Sequence, residues 1–252
     1  MNYSCSANPV SDFLLLKISD FQKNKNKYKE SHMKSIGVIL SGCGVNDGTE
    51  IHEAVITMLC LDRIKAEISY FAPDISQSSV IDHTNQVAMP ESRNVRIESA
   101  RISRGRITDI KDAQPEKLDA VILPGGAGAI KNLSKIFQNP KNPEINKDLS
   151  RLLTDMHSRK KPIGSICISP LLVAAVLGKF KPVLTIGNDI NTAQMIENFG
   201  GIHKNCAYDS IVTDEKNLLV STPAYMVSSG PAQVYEGISK LVDKISELCK
   251  KG

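Results

Sequence analysis

The chain alternates short unbroken apolar runs with longer segments of helical periodicity. Ser35–Ser41 (SIGVILS) is apolar on both sides of its alternation and runs into glycines, the pattern of a strand buried on both faces. Asn46–Glu50 is polar and carries helix-start residues, and Ile51, Ala54, Val55, Met58, Leu59 and Leu61 then recur at helical spacing. A second strand is predicted over Ala66–Ala72, closed by Pro73-Asp74, and a helix over Val95–Ile102 after a polar stretch. Leu118–Leu123 predicts a third strand that runs straight into Pro124-Gly-Gly-Ala-Gly-Ala129. A helix over Asn146–His157, a strand over Pro162–Cys167, a helix over Pro170–Leu177 and a fifth strand over Val183–Ile186 follow. Thr192–Phe199 reads as a helix ended by Gly200-Gly201. Ile211–Asp214 and Leu218–Thr222 read as a hairpin, and a long terminal helix runs from Val227 or Ser228 to about Cys249.

Strands alternating with helices of this length predict a doubly wound α/β fold with a mostly parallel sheet. Ligands of such sheets bind at the carboxyl ends of the strands. Three of those ends stand out: the glycine turn after Leu40, the one after Leu123, and Cys167. All three are expected on one edge of the sheet.

The first 33 residues depart from this pattern. Gln22–Lys29 mixes Lys with Asn and Gln and has no apolar face, so 1–33 is expected to be a disordered extension preceding a single domain over 34–252. Its apolar island, Phe13–Leu16, is too short for a secretory signal, which needs roughly 7–15 apolar residues. The absence of Arg and the presence of Asp12, Asp20 and Glu30 argue against a mitochondrial presequence, which stays as the alternative to a cytoplasmic protein. Met33 is an alternative start.

Composition narrows the function. The 252 residues are 41% hydrophobic and 23% charged, as in an ordinary globular protein, and no apolar run reaches the roughly 18 residues of a membrane span. With 31 Lys and Arg against 27 Asp and Glu, no Trp and 5% aromatics, the chain lacks the charge excess and stacking residues of a nucleic-acid binder. The six cysteines form no C-x-x-C pair and no zinc-finger spacing with histidine, so free thiols are expected and no metal site.

Cys167 is the sharpest chemical signal, because it ends a strand and precedes a helix, the strand–turn–helix setting of a nucleophile elbow. A helix N-terminus there favours the thiolate, whereas an inert buried cysteine would need no such setting. The glycines Gly125 and Gly126 let backbone amides approach a ligand, and the N–H groups of Gly126 and Ile168 could form an oxyanion hole. Glu50 and Glu53 lie three apart at the start of the first helix, where either is a proton-handling carboxylate or simply a charge favoured by the helix dipole. His52 and His83 are weaker candidates, and His157, beside Arg159-Lys160-Lys161, is expected in solvent.

The runs VILSGCGVNDGTEIHEAV, LPGGAGAIKNLS, GSICISP, LTIGND and VSTPAYM together resemble the ElbB family, the isoprenoid-biosynthesis-associated glyoxalases of the PfpI and class I glutamine-amidotransferase-like superfamily. The resemblance covers about residues 34–249. It implies a flavodoxin-like sandwich, commonly dimeric, with Cys167 as nucleophile, Gly126 and Ile168 as oxyanion donors and Glu53 as the acidic partner. Many superfamily members carry a His directly after the Cys, and amidotransferases use a Cys-His-Glu triad. Here Ile168 follows Cys167 and no His-x-Glu lies downstream. The resemblance then implies the Cys/Glu chemistry of a glutathione-independent glyoxalase acting on glyoxal or similar 2-oxoaldehydes, with no cofactor. The other reading is a redox-sensing thiol on a dimeric scaffold.

Overall fold

The computed structural model describes residues 33–249, so the expectation for 1–32 lies outside the described residues. The chain runs through β1 (Ser35–Ile39), α1 (Ile51–Arg63), β2 (Glu67–Ala72), β3 (Ile81–Asp82), β4 (Val87–Ala88), α2 (Val95–Ile102) and β5 (Thr108–Asp109). It continues through β6 (Ala120–Leu123), α3 (Ala127–Leu133), α4 (Lys147–Ser158), β7 (Ile163–Ile166), α5 (Pro170–Leu177) and β8 (Val183–Leu184). The remainder is α6 (Ile190–Asn198), β9 (Ile202–His203), β10 (Val212–Asp214), β11 (Leu219–Thr222) and α7 (Pro231–Leu248).

Seven strands form the central sheet in the order β10-β11-β7-β6-β1-β2-β5, parallel throughout except for β10 against β11. This is the flavodoxin-like α/β fold. The apolar runs of β1, β6 and β7 have no polar alternation because both faces are covered. In β6, Val121 and Leu123 join the core under α4 and α5, with Leu149, Leu152, Leu153, Leu171 and Leu172. Ala120 and Ile122 face the opposite core, with Ala54 and Leu61 of α1 and Ile238, Leu241 and Val242 of α7. The chain turns outward in opposite directions from β1 and β6, so their carboxyl ends flank the crevice where such sheets bind ligands.

Several expectations are corrected. The strand predicted over Val183–Ile186 shortens to β8 and leaves the main sheet, pairing with β9 in a separate two-stranded parallel sheet. The polar stretch before α2 contains the β3–β4 hairpin, and β5 adds an edge strand; each is two residues long, too short for periodicity to register. The terminal helix starts at Pro231, because Ala224–Met226 forms a separate 3-10 turn. His157 is 7% exposed rather than solvated. Its ring stacks on Phe180 at 4.2 Å and Nε2 lies 3.2 Å from Asn217 Oδ1.

Candidate active site

Cys167 follows β7 with φ 60°, in the left-handed region that β-carbon sterics disfavour. The surrounding structure holds it there. Its N–H donates to Thr222 O at 3.0 Å, and the Ser169 hydroxyl donates to Pro124 O at 2.7 Å, tying the head of α5 to the glycine turn after β6. The N–H groups of Gly126 and Ile168 act on the Cys167 sulfur in the direction that favours the thiolate.

The glycines of that turn are required by close approach. A Cβ on Gly125 would lie 2.5 Å from Cys167 Cβ and 2.7 Å from Glu53 Oε2. Gly126 has φ 98°, and a Cβ there would meet Glu50 N at 2.4 Å.

Glu53 is fully buried on the first turn of α1. The Glu50 side chain caps this helix, accepting the Glu53 N–H at 2.7 Å. In a capping box, the carboxyl three residues into the helix would turn back to the cap residue's own N–H. Here that N–H instead donates to Gly125 O at 2.9 Å. The Glu53 carboxyl is thereby released toward Cys167. Its Oε2 accepts the Gly125 N–H at 2.9 Å, its Oε1 accepts the Tyr225 N–H at 3.3 Å, and it hydrogen-bonds the Cys167 side chain.

Burial, helped by the charge of Glu50, pushes Glu53 up to about 8, against the lowering effect of its hydrogen bonds. At neutral pH it therefore holds a proton. The expectation that the helix start alone would favour the Cys167 thiolate needs correction. Burial pushes the Cys167 thiol well up, a charged Glu53 pushes it further, and only the Gly126 and Ile168 amides pull it down. A proton on Glu53 removes the carboxylate's repulsion of the thiolate.

The remaining candidates separate. His52 is exposed at the rim, with Nδ1 2.7 Å from Tyr225 Oη and 3.9 Å from Glu50 Oε1. His83 braces the first glycine loop: Nδ1 lies 2.9 Å from Ile81 O, and Nε2 accepts the Asn46 N–H at 3.2 Å, which fixes the proton on Nδ1. Among the described residues no imidazole hydrogen-bonds Cys167, and no three His, Cys, Asp or Glu are grouped to hold a metal ion. Sequence reasoning missed Tyr225 and Thr222, which act through backbone atoms; the run VSTPAYM marked the segment but could not say which atoms it turns inward.

No family model matches the chain. It is 42% identical over 228 residues to the human glutamine amidotransferase-like class 1 domain-containing protein 3, mitochondrial, covering 86% of this chain and 84% of that protein. It is 41% identical over 226 residues to the rat ES1 protein homolog, mitochondrial, with the same coverage of 86% and 84%. The crystal structure of an isoprenoid biosynthesis protein with amidotransferase-like domain from Ehrlichia chaffeensis superposes with a TM-score of 0.81 at 38% identity, over 85% of this chain and 99% of that one. That structure supports the ElbB-like form of the fold. By these identities across nearly the whole described domain, the chain belongs to the ES1 family of glutamine amidotransferase-like class 1 proteins.

Proposed function

We propose that this protein is a cofactor-independent glyoxalase that converts glyoxal, or a similar 2-oxoaldehyde, to the hydroxy acid. One observation carries the reading: a fully buried Glu53 packed beside Cys167 on a strained elbow, both side chains closing on the Gly125 backbone. The Cys167 sulfur bonds to one aldehyde carbon, and the carbonyl oxygen takes the Glu53 proton, giving a hemithioacetal. The Glu53 carboxylate then removes the C–H proton of that carbon and returns a proton to the second carbon through an enediol. One carbon is oxidised as the other is reduced, leaving a thioester of glycolate. Water cleaves the carbon–sulfur bond, the thiol re-forms, and glycolate leaves with a proton. The Gly126 and Ile168 amides hold the negative oxygen that develops. Loss of aldehyde from glycated amines would draw on the same residues and register as deglycase activity.

The test is NMR of carbon-13-labelled glyoxal. Wild type should yield labelled glycolate, and Cys167→Ala should yield none. A wild-type protein that leaves glyoxal unconsumed would refute the reading. It would favour the redox reading, in which the protonated Glu53 hydrogen-bonds an oxidised Cys167; mass spectrometry after peroxide treatment would show that product.

Homodimerisation and mitochondrial placement belong to the same proposal. Ile51, Val55 and Leu59 recur every fourth residue on α1 and stay 42–49% exposed, an apolar stripe suited to a second copy. The names of the human and rat relatives support the mitochondrial alternative over the cytoplasm.

A further inference from the structure

The amino end of β7, at the far end of the strand from Cys167, lies beside a concentration of positive charge that the site does not use. α4 ends at Ser158 and is followed by Arg159 and Lys160; α5 is followed by the 3-10 turn Gly178–Phe180 and Lys181; Lys216 lies in the turn between β10 and β11. Three contacts join these turns into one surface. The His157 ring stacks on Phe180 at 4.2 Å, His157 Nε2 lies 3.2 Å from Asn217 Oδ1, and Asn217 Nδ2 donates to Phe180 O at 3.4 Å. Arg159, Lys160, Lys179, Lys181 and Lys216 flank this junction, and all are exposed. Phe180 is itself 36% exposed, with the Lys179 ammonium 5.0 Å from its ring centroid.

The acidic side chains of these same turns are engaged elsewhere. Asp155 pairs with Arg151 at 3.7 Å and Glu215 with Lys244 at 3.2 Å. Asp214 is 6% exposed and accepts the N–H groups of Val183 and Asn217. Among the described residues, none of the five cations forms an ion pair. Helix dipoles favour positive charge at the ends of α4 and α5, but they explain neither Lys216 in a hairpin turn nor an aromatic ring exposed among the cations. The formal net charge of the whole chain is +4, so five unpaired cations on one face are a local excess.

We propose that this basic face docks the protein on an anionic lipid surface, with Phe180 entering the headgroup layer and the five cations meeting lipid phosphates. The cations stand on three separate turns, which suits a fluid layer of headgroups that move to meet them better than one rigid acidic peptide. A single aromatic ring offers no platform for successive bases. β7 runs from this face toward Cys167, so a docked molecule holds its active-site end away from the lipid.

The test is cosedimentation of the full chain with phosphatidylcholine vesicles, with and without about 30% phosphatidylglycerol. Wild type should sediment with the anionic vesicles at about 0.05 M KCl, stay in solution with the neutral ones, and be released at about 0.5 M KCl, where the surface charge is screened. Each cation near an anionic surface is worth about fivefold in partitioning, so the triple variant Lys160→Glu, Lys179→Glu, Lys216→Glu should bind at least about a hundredfold more weakly. The control triple Lys141→Glu, Lys147→Glu, Lys204→Glu makes the same change in net charge at exposed positions elsewhere, and should keep most of the binding. Replacing the same three patch lysines with Gln gives a second measure of the loss should the acidic triple fold poorly. A wild type that stays in solution with the anionic vesicles would overturn the proposal, as would equal losses in the patch and control triples. Tighter binding to polyglutamate or to an RNA oligomer than to the vesicles would overturn it too, and would assign the face to that partner.

Discussion

Replacing Glu53 with Gln should make the protein's stability respond differently to pH. Glu53 is fully buried, and its carboxyl is raised from the ordinary 4.5 to about 8. An unfolded chain releases that proton near 4.5, whereas the folded chain keeps it to about 8, so between these values the folded state binds the extra proton. Stability from this group is therefore complete below about pH 4.5 and is lost as pH rises toward 8. The span is about 3.5 pH units, and each unit is 1.36 kcal/mol, so the loss reaches about 5 kcal/mol by pH 8 and about 3 kcal/mol at pH 7. Gln has nearly the same shape, keeps a carbonyl acceptor for one of the two N–H groups and never ionises. Leaving the other N–H less well served costs about 1–3 kcal/mol at every pH. The assay is urea unfolding of both proteins from pH 5 to 8.5. Wild type should be the more stable at pH 5, and the difference should shrink and reverse as pH rises, with a net swing of several kcal/mol. A stability difference that stays flat across that range would refute the protonated Glu53 on which the site's chemistry depends.

Gly125→Ala should disable the site sterically, because its Cβ would sit 2.5 Å from Cys167 Cβ and 2.7 Å from Glu53 Oε2. Overpacking of this kind costs about 1–3 kcal/mol, and displacing the pair by about 1 Å should lower glyoxal turnover on the order of a hundredfold; thermal melts and kinetics check both. Burial pushes the Cys60 and Cys249 thiols up to about 11, so peptide mapping after brief iodoacetamide treatment near neutral pH should find both unlabelled until the protein is unfolded. His157→Ala should lower stability by about 2–4 kcal/mol through loss of the Phe180 stack and the Asn217 contact, with the pH profile of Cys167 alkylation unmoved.

Much of this protein is decided locally and is legible in its sequence. The apolar runs of β1, β6 and β7 are unbroken because each strand is covered on both faces, and burial on both faces is a property of the run itself. Cys167 stands out for the same local reason: a strand end and a helix start flank it within four residues. Spacing alone put both Glu50 and Glu53 at the start of the first helix, and the choice of Glu53 came from the family resemblance. What the sequence left open depends on distant partners. Strands of two residues such as β5 and β8 gain their pairing from neighbours, so no window of sequence could assign β8 to a separate sheet. His157 lies in a basic run yet is buried, because Phe180 and Asn217 are brought over it by the fold. The division of labour between two similar carboxylates is the clearest case. The Gly125 carbonyl takes the Glu50 N–H and the Gly125 N–H takes a Glu53 oxygen, leaving one carboxyl as a cap and turning the other to the sulfur. Those bonds join residues 72 or more positions apart. Spacing along the chain places a group on a face, but its proton is set by the desolvation and charge that only the packed neighbours supply.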